Sequence, residues 1–261
     1  MKTKSVTLPD ATIAYVDQGE GNAIILLHGF CGSSGYWEKV IPELSESYRV
    51  IAPDLPGHGE SSIDKENFSI EDYADIIKGL LNQLNLQKVT MFGHSLGGYI
   101  TLAFAEKYSN QLNGFSLVHS TAYPDSKEAK KGREANVDKV KNEGVKSLID
   151  GLVPKLFSPE NVEQDYVKTA KEIGYLTSAQ GTISALSAMK NRIDRNHVLE
   201  TTTLPVLLIA GKQDQIIPAE KTFSVSSENI KQEIIKNSGH MSMIENHQDL
   251  ISEIKEYLST I

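Results

Sequence analysis

The 261-residue chain has one cysteine, Cys31, and one tryptophan, Trp37. A single cysteine makes no internal disulfide, and no Cys/His cluster has zinc-ligand spacing, so neither a covalent staple nor a metal is expected. Long apolar runs are also missing. No stretch approaches the roughly 20 residues that a membrane-spanning helix needs. The opening MKTKSVTLPDATIAYVDQG carries two early lysines without the unbroken apolar segment of a secretory signal, so no membrane association and a cytoplasmic location are expected. Positive charge is in the minority: 26 Lys and Arg against 34 Asp and Glu leave a net charge of -8. A nucleic-acid surface wants clustered, uncompensated cations, so that class is excluded and a neutral or apolar small-molecule substrate is expected. What remains is 39% apolar and 23% charged with both signs interspersed, the balance of a chain that folds around a core.

Short apolar runs, each followed by a segment of helical period, set the rhythm. Residues 23–27, 49–53, 88–92, 115–118, 205–210 and 232–235 read as strands, several of them apolar at successive positions as in parallel strands covered on both faces. Helices are expected at 34–46, 70–84, 96–108, 219–227 and 243–259. KSVTLP and TIAYVDQG alternate in the manner of antiparallel strands at a sheet edge. The alternation of strand and helix predicts an α/β fold with a mainly parallel sheet. Between 121 and 200 the rhythm stops and amphipathic helical stretches with Gly and Pro breaks take over. A core of 1–120 and 201–261 with a helical cap insertion at 121–200 is the expected organisation. The cap would lie over the carboxyl edge of the sheet, where open α/β folds bind ligands.

Gly93-His94-Ser95-Leu96-Gly97 fits G-x-S-x-G with a strand before it and a helix after it. A nucleophile on so sharp a turn has a strained backbone, and its close neighbours must be small. The same serine could instead serve as a helix N-cap, and 19 glycines make the bare pattern a weak signal. Its company strengthens it. Asp214 follows the strand at 205–210 and His240 follows the strand at 232–235, so both belong to the edge that carries Ser95. Serine, acid and histidine in this chain order form one known solution to nucleophilic catalysis.

With His28-Gly29-Phe30, Pro53-Asp54-Leu55-Pro56-Gly57-His58-Gly59-Glu60-Ser61, GHSLGG at 93–98, GKQDQIIP at 211–218 and SGHMSMIEN at 238–246, the chain resembles the α/β-hydrolase fold superfamily over all but the insertion. The resemblance implies Ser95 as nucleophile, His240 as general base and acid, and Asp214 as its orienting carboxylate. It implies an oxyanion hole from the backbone N–H groups of Phe30 and Leu96, and no cofactor. The activity it implies is carboxylic-ester cleavage through an acyl-enzyme. Lactonase, thioesterase and C–C bond hydrolase use the same machinery, and a ligand sensor on the hydrolase fold, signalling to a protein partner, is the rival of another class. A serine at position 95 disfavours dehalogenases and epoxide hydrolases, which place a carboxylate there. Asp125, after the strand at 115–118, is the competing acid. His28 and His58 are expected to organise loops, His119 and Trp37 to be structural, and Cys31 to be a small loop residue.

Overall fold

The computed structural model describes residues 2–261. Eight strands form one sheet in the order β1-β2-β4-β3-β5-β6-β7-β8: β1 Thr3–Leu8, β2 Ala11–Gln18, β3 Ala23–Leu27, β4 Arg49–Pro53, β5 Val89–His94, β6 Leu112–Val118, β7 Val206–Gly211 and β8 Ile230–Ile235. β2 pairs antiparallel with β1 and β4, and every pairing from β4 to β8 is parallel. The N-terminal hairpin is the antiparallel edge expected from its alternation. β3 (AIILL) and β7 (VLLIAG) are buried at every position because helices cover both faces.

The helices, in chain order, are α1 Ile41–Leu44, α2 Ile70–Gln83, α3 Leu96–Tyr108, α4 Lys127–Glu143, α5 Val145–Leu152, α6 Asp165–Tyr175, α7 Ala179–Asn191, α8 Asn196–Thr201, α9 Ala219–Thr222, α10 Ser242–Glu245 and α11 His247–Leu258. α2 starts at a capping box in which Ser69 and Asp72 satisfy each other's backbone N–H groups. α3 is buried continuously from Leu96 to Ala105, which makes it the central helix beneath the sheet edge. Each large apolar side chain it removes from water contributes roughly 1.5–3 kcal/mol. Every element between β6 and β7 is helical.

Three helices differ from expectation. The stretch 34–46 is a 3-10 turn at Ser34–Trp37 followed by the four-residue α1. α9 stops at Thr222, and Ser224, Val225 and Ser226, all modest helix formers, continue without helix; the carbonyl of Val225 accepts from Gln232 Nε2 instead. The stretch 243–259 breaks at Asn246, whose side chain caps α11 by accepting from the Asp249 N–H.

Arg195, 3% exposed, precedes α8 and ties three helices together. Its guanidinium pairs with Glu71 at the start of α2 and, at 3.0 Å, with Glu106 of α3. Both carboxylates are partly exposed and so partly screened. Arg195→Ala is expected to lower unfolding stability by about 2 kcal/mol, read from the urea midpoint; an unchanged midpoint would show that packing alone seats α8.

Candidate functional site

Register brings the chemistry to one edge. Leu27 of β3 pairs with Gly93 of β5, His94 with Val118 of β6, Val118 with Ile209 of β7, and Gly211 with Ile235 of β8. The segments leaving these carboxyl ends carry His28–Phe30, Ser95, His119, Asp214 and His240.

Ser95 is the single residue between β5 and α3, with φ 49° and ψ -111°, a left-handed conformation that costs about 1–3 kcal/mol for a residue bearing a Cβ. The surroundings hold it there. Its N–H donates to Val118 O, and its carbonyl accepts from the Gly98 and Tyr99 N–H groups and from Ser120 Oγ. A Cβ on Gly93 would sit 2.3 Å from Gly97 O, and one on Gly97 would sit 2.6 Å from Leu27 O. The turn therefore closes only with hydrogen at both positions. Leu96 is the first residue of α3, where the helix leaves its N–H without an internal partner. Phe30 lies in the turn after β3, closed by the Gly32 N–H donating to Gly29 O, with its ring edge against His58.

Asp214 and His240 meet. His240 Nδ1–H donates to Asp214 Oδ2 at 2.7 Å, with both side chains almost wholly buried. Asp214 Oδ1 accepts the N–H groups of Ile216 and Ile217 at 2.8 and 2.9 Å. Burial pushes the Asp214 carboxyl up, but the neighbouring imidazoles outweigh it and hold the group well below the usual carboxylate range. Asp125, the competing acid, is elsewhere engaged: Arg192 Nη1 and Arg133 Nε bind it at 2.5 and 3.1 Å.

Three further side chains shape the histidine loop, and none stood out in sequence for this role. His94 Nε2–H donates to the His240 carbonyl at 2.9 Å. Glu245 Oε1 accepts the Gly239 and Met241 N–H groups, while Oε2 accepts the Ser158 N–H and Asn161 Nδ2, so one carboxylate clasps the histidine loop to the segment after α5. The His240 N–H donates to Leu156 O in the same segment at 2.7 Å. His119 presents Nδ1 to Asp214 Oδ2 at 3.4 Å and pairs through Nε2 with Ser242 Oγ at 2.6 Å. His119, Asp214 and His240 hold atoms of metal-ligand type within 4.8 Å of one another, but Asp214 Oδ2 and His240 Nδ1 are already hydrogen-bonded to each other.

The remaining candidates are structural in geometry. His28 Nδ1–H donates to Gly29 O and its Nε2 accepts the Leu55 N–H, which joins the loops after β3 and β4; His58 donates to Pro56 O. Trp37 is fully buried, and burial pushes the Cys31 thiol up to about 12. A depression of 610 Å³ lies between the 121–200 insertion and the loop after β7, lined by Phe157 and Val167 of the insertion and by Gln215, the neighbour of Asp214; another, of 440 Å³ and lined by Glu106, His197 and Thr201, is away from the site. Over the site the helical segment packs down closely. A Cβ on Gly239 would meet Ser158 N at 2.6 Å.

A parallel sheet that gathers a strained serine and a buried Asp–His pair at its carboxyl edge is the arrangement of α/β hydrolases. The chain belongs to that family: the α/β-hydrolase-fold model matches residues 22–247. Among solved structures, a thermophilic esterase from Thermogutta terrifontis superposes with a TM-score of 0.93 at 29% identity, covering 100% of this chain and 99% of that one. The 2-hydroxy-6-oxo-2,4-heptadienoate hydrolase of Pseudomonas putida is 27% identical across 93% of this chain and 91% of its own length. An uncharacterized protein of Mycobacterium bovis is 39% identical over 100 residues, which is 38% of this chain and only 29% of that protein. Among the described residues, no helix is long and apolar enough to cross a membrane.

Burial makes the site acid-sensitive. It lowers the pKa of His28 to about 4 and lowers those of His94 and His119, while Asp214 is also held low. Between about pH 4 and 6.5 an unfolded histidine binds a proton that folded His28 does not, so stability rises with pH across this window. From pH 7 to pH 5, His28 alone should remove about 2 kcal/mol of unfolding free energy; Asp214 adds its loss only at lower pH. Urea titrations at the two pH values test this, and equal stabilities would contradict it.

Proposed function

We propose that the protein is a serine hydrolase that cleaves carboxylic esters of small or medium, largely uncharged acyl groups. The observation that carries this reading is the 2.7 Å hydrogen bond from His240 to buried Asp214 on the edge where Ser95 occupies its strained turn. In the proposed reaction Ser95 Oγ attacks the carbonyl carbon as His240 Nε2 takes its proton. Asp214 keeps the other proton on Nδ1 and stabilises the imidazolium. The Phe30 and Leu96 N–H groups receive the oxyanion, His240 returns the proton to the leaving alkoxide, and the acyl-enzyme forms. Water activated by the same imidazole then releases the acid. Each oxyanion donor is worth roughly 10²- to 10³-fold in rate.

Residues 121–200 act in this proposal as a cap on a core of 1–120 and 201–261, and the contacts of Leu156, Ser158 and Asn161 with the histidine loop support that role. The net charge of -8 favours substrates without strong negative charge. Likeness to the T. terrifontis esterase supports ester cleavage, and likeness to the P. putida hydrolase supports C–C cleavage as the second reading on the same residues. Ser95→Ala should reduce turnover of a short-chain p-nitrophenyl ester by at least about 10⁴-fold with an unchanged circular dichroism spectrum. Asp214→Asn should cost about 10²- to 10⁴-fold, whereas Asp125→Asn in the folded protein should not. Undiminished turnover in Ser95→Ala would overturn the assignment.

A further inference from the structure

Asp214 Oδ2 faces two imidazoles. His240 Nδ1 is 2.7 Å away, and His119 Nδ1 approaches from the end of β6 at 3.4 Å. His119 is fully buried and adopts φ 48°, an uncommon conformation for a residue with a side chain. Its other nitrogen, Nε2, is 2.6 Å from Ser242 Oγ on α10, and Ser242 is fully buried as well. Burial lowers the basicity of His119 against the pull of Asp214, so the ring is neutral and carries one proton. A proton on Nε2 would turn the Nδ1 lone pair toward an anionic oxygen between two fully buried side chains. With the proton on Nδ1, the ring accepts the Ser242 O–H and turns its N–H toward Asp214 Oδ2 at 3.4 Å, an electrostatic approach without the geometry of a formed hydrogen bond.

We propose that His119 is a positioning residue for the catalytic pair: with its tautomer set by Ser242, it gives Asp214 Oδ2 a second donor and tempers the carboxylate's hold on the His240 proton. This rests on the proposed role of His240 as general base. Asp214 is then bounded on both oxygens: Oδ1 accepts two backbone N–H groups, and Oδ2 accepts from His240 with His119 Nδ1 3.4 Å away on its other side. The sign of the electronic effect follows. A second N–H facing Oδ2 withdraws charge from it, so Asp214 holds the His240 Nδ1 proton less strongly. Removing that N–H leaves Oδ2 to His240 alone and strengthens the grip of Asp214 on it. The other titratable groups around His240 are His94, which donates to its carbonyl and is itself neutral, and Glu245, whose oxygens are occupied by the Gly239, Met241 and Ser158 N–H groups and Asn161 Nδ2.

Two readouts test the proposal in wild type, Ser242→Ala, His119→Leu and His119→Asn. They are the pH profile of kcat/KM on a p-nitrophenyl ester and the NMR titration of the His240 Cε1–H, which needs no turnover. His119→Leu should move the acid limb up by about 0.5–1 pH unit, and Ser242→Ala should move it the same way by less. kcat should fall about tenfold in His119→Leu with KM nearly unchanged. His119→Asn keeps an N–H donor near the Nδ1 position and tolerates positive φ, so it should stay near wild type. An unmoved limb and an unmoved His240 titration in folded Ser242→Ala and His119→Leu would overturn the proposal. If His119→Leu does not fold, Ser242→Ala decides by the same criterion. Active Ser95→Ala enzyme would instead overturn the underlying assignment, while the NMR titration would still report on the His119 contact.

Discussion

The hydrogen bond between His240 and Asp214 is the constraint on which the rest of the edge depends. A buried carboxylate is costly unless its oxygens are occupied, and here two backbone N–H groups hold one oxygen while imidazoles surround the other. Those partners come from different places in the chain: the turn after β7, the loop after β8 and the end of β6. Their convergence requires the parallel register of β6, β7 and β8, in which β6 and β7 are buried almost throughout and β8 pairs along β7 as the edge strand.

The same loop joins the sheet to the helical segment between β6 and β7. Glu245 bonds backbone on both sides, and the N–H of His240 itself bonds Leu156. That segment and the histidine loop are therefore held together through the same carboxylate and the same backbone hydrogen bond. In the proposed enzyme, admission of substrate beneath the cap and alignment of the general base would be linked through one carboxylate.

Much of the architecture was legible because the signals were local. All-apolar strands, the amphipathic period of α2 and the glycines on either side of Ser95 each act over a few residues, and the parallel sheet with its antiparallel edge follows from them. Boundaries that depended on tertiary partners were less legible. Asn246 ends one helix by capping the next, and the stretch after Thr222 gives up helix for a hydrogen bond to Gln232. At the site, Asp214 and His240 could be read because each stands just beyond a strand. His94, Glu245 and His119 could not, because their partners lie 146, 84 and 123 residues away along the chain. The spacing of Glu245 after His240 carries no periodic or motif signal by itself, and a histidine at a strand end is as compatible with packing as with chemistry.

The central claim is that Ser95 is the nucleophile, and covalent labelling tests it without knowledge of the natural substrate. After reaction with a fluorophosphonate, intact mass should rise by one phosphonyl group, with the adduct mapping to the peptide containing Ser95 and absent from Ser95→Ala. An adduct on another serine, or equal labelling of Ser95→Ala, would contradict the account.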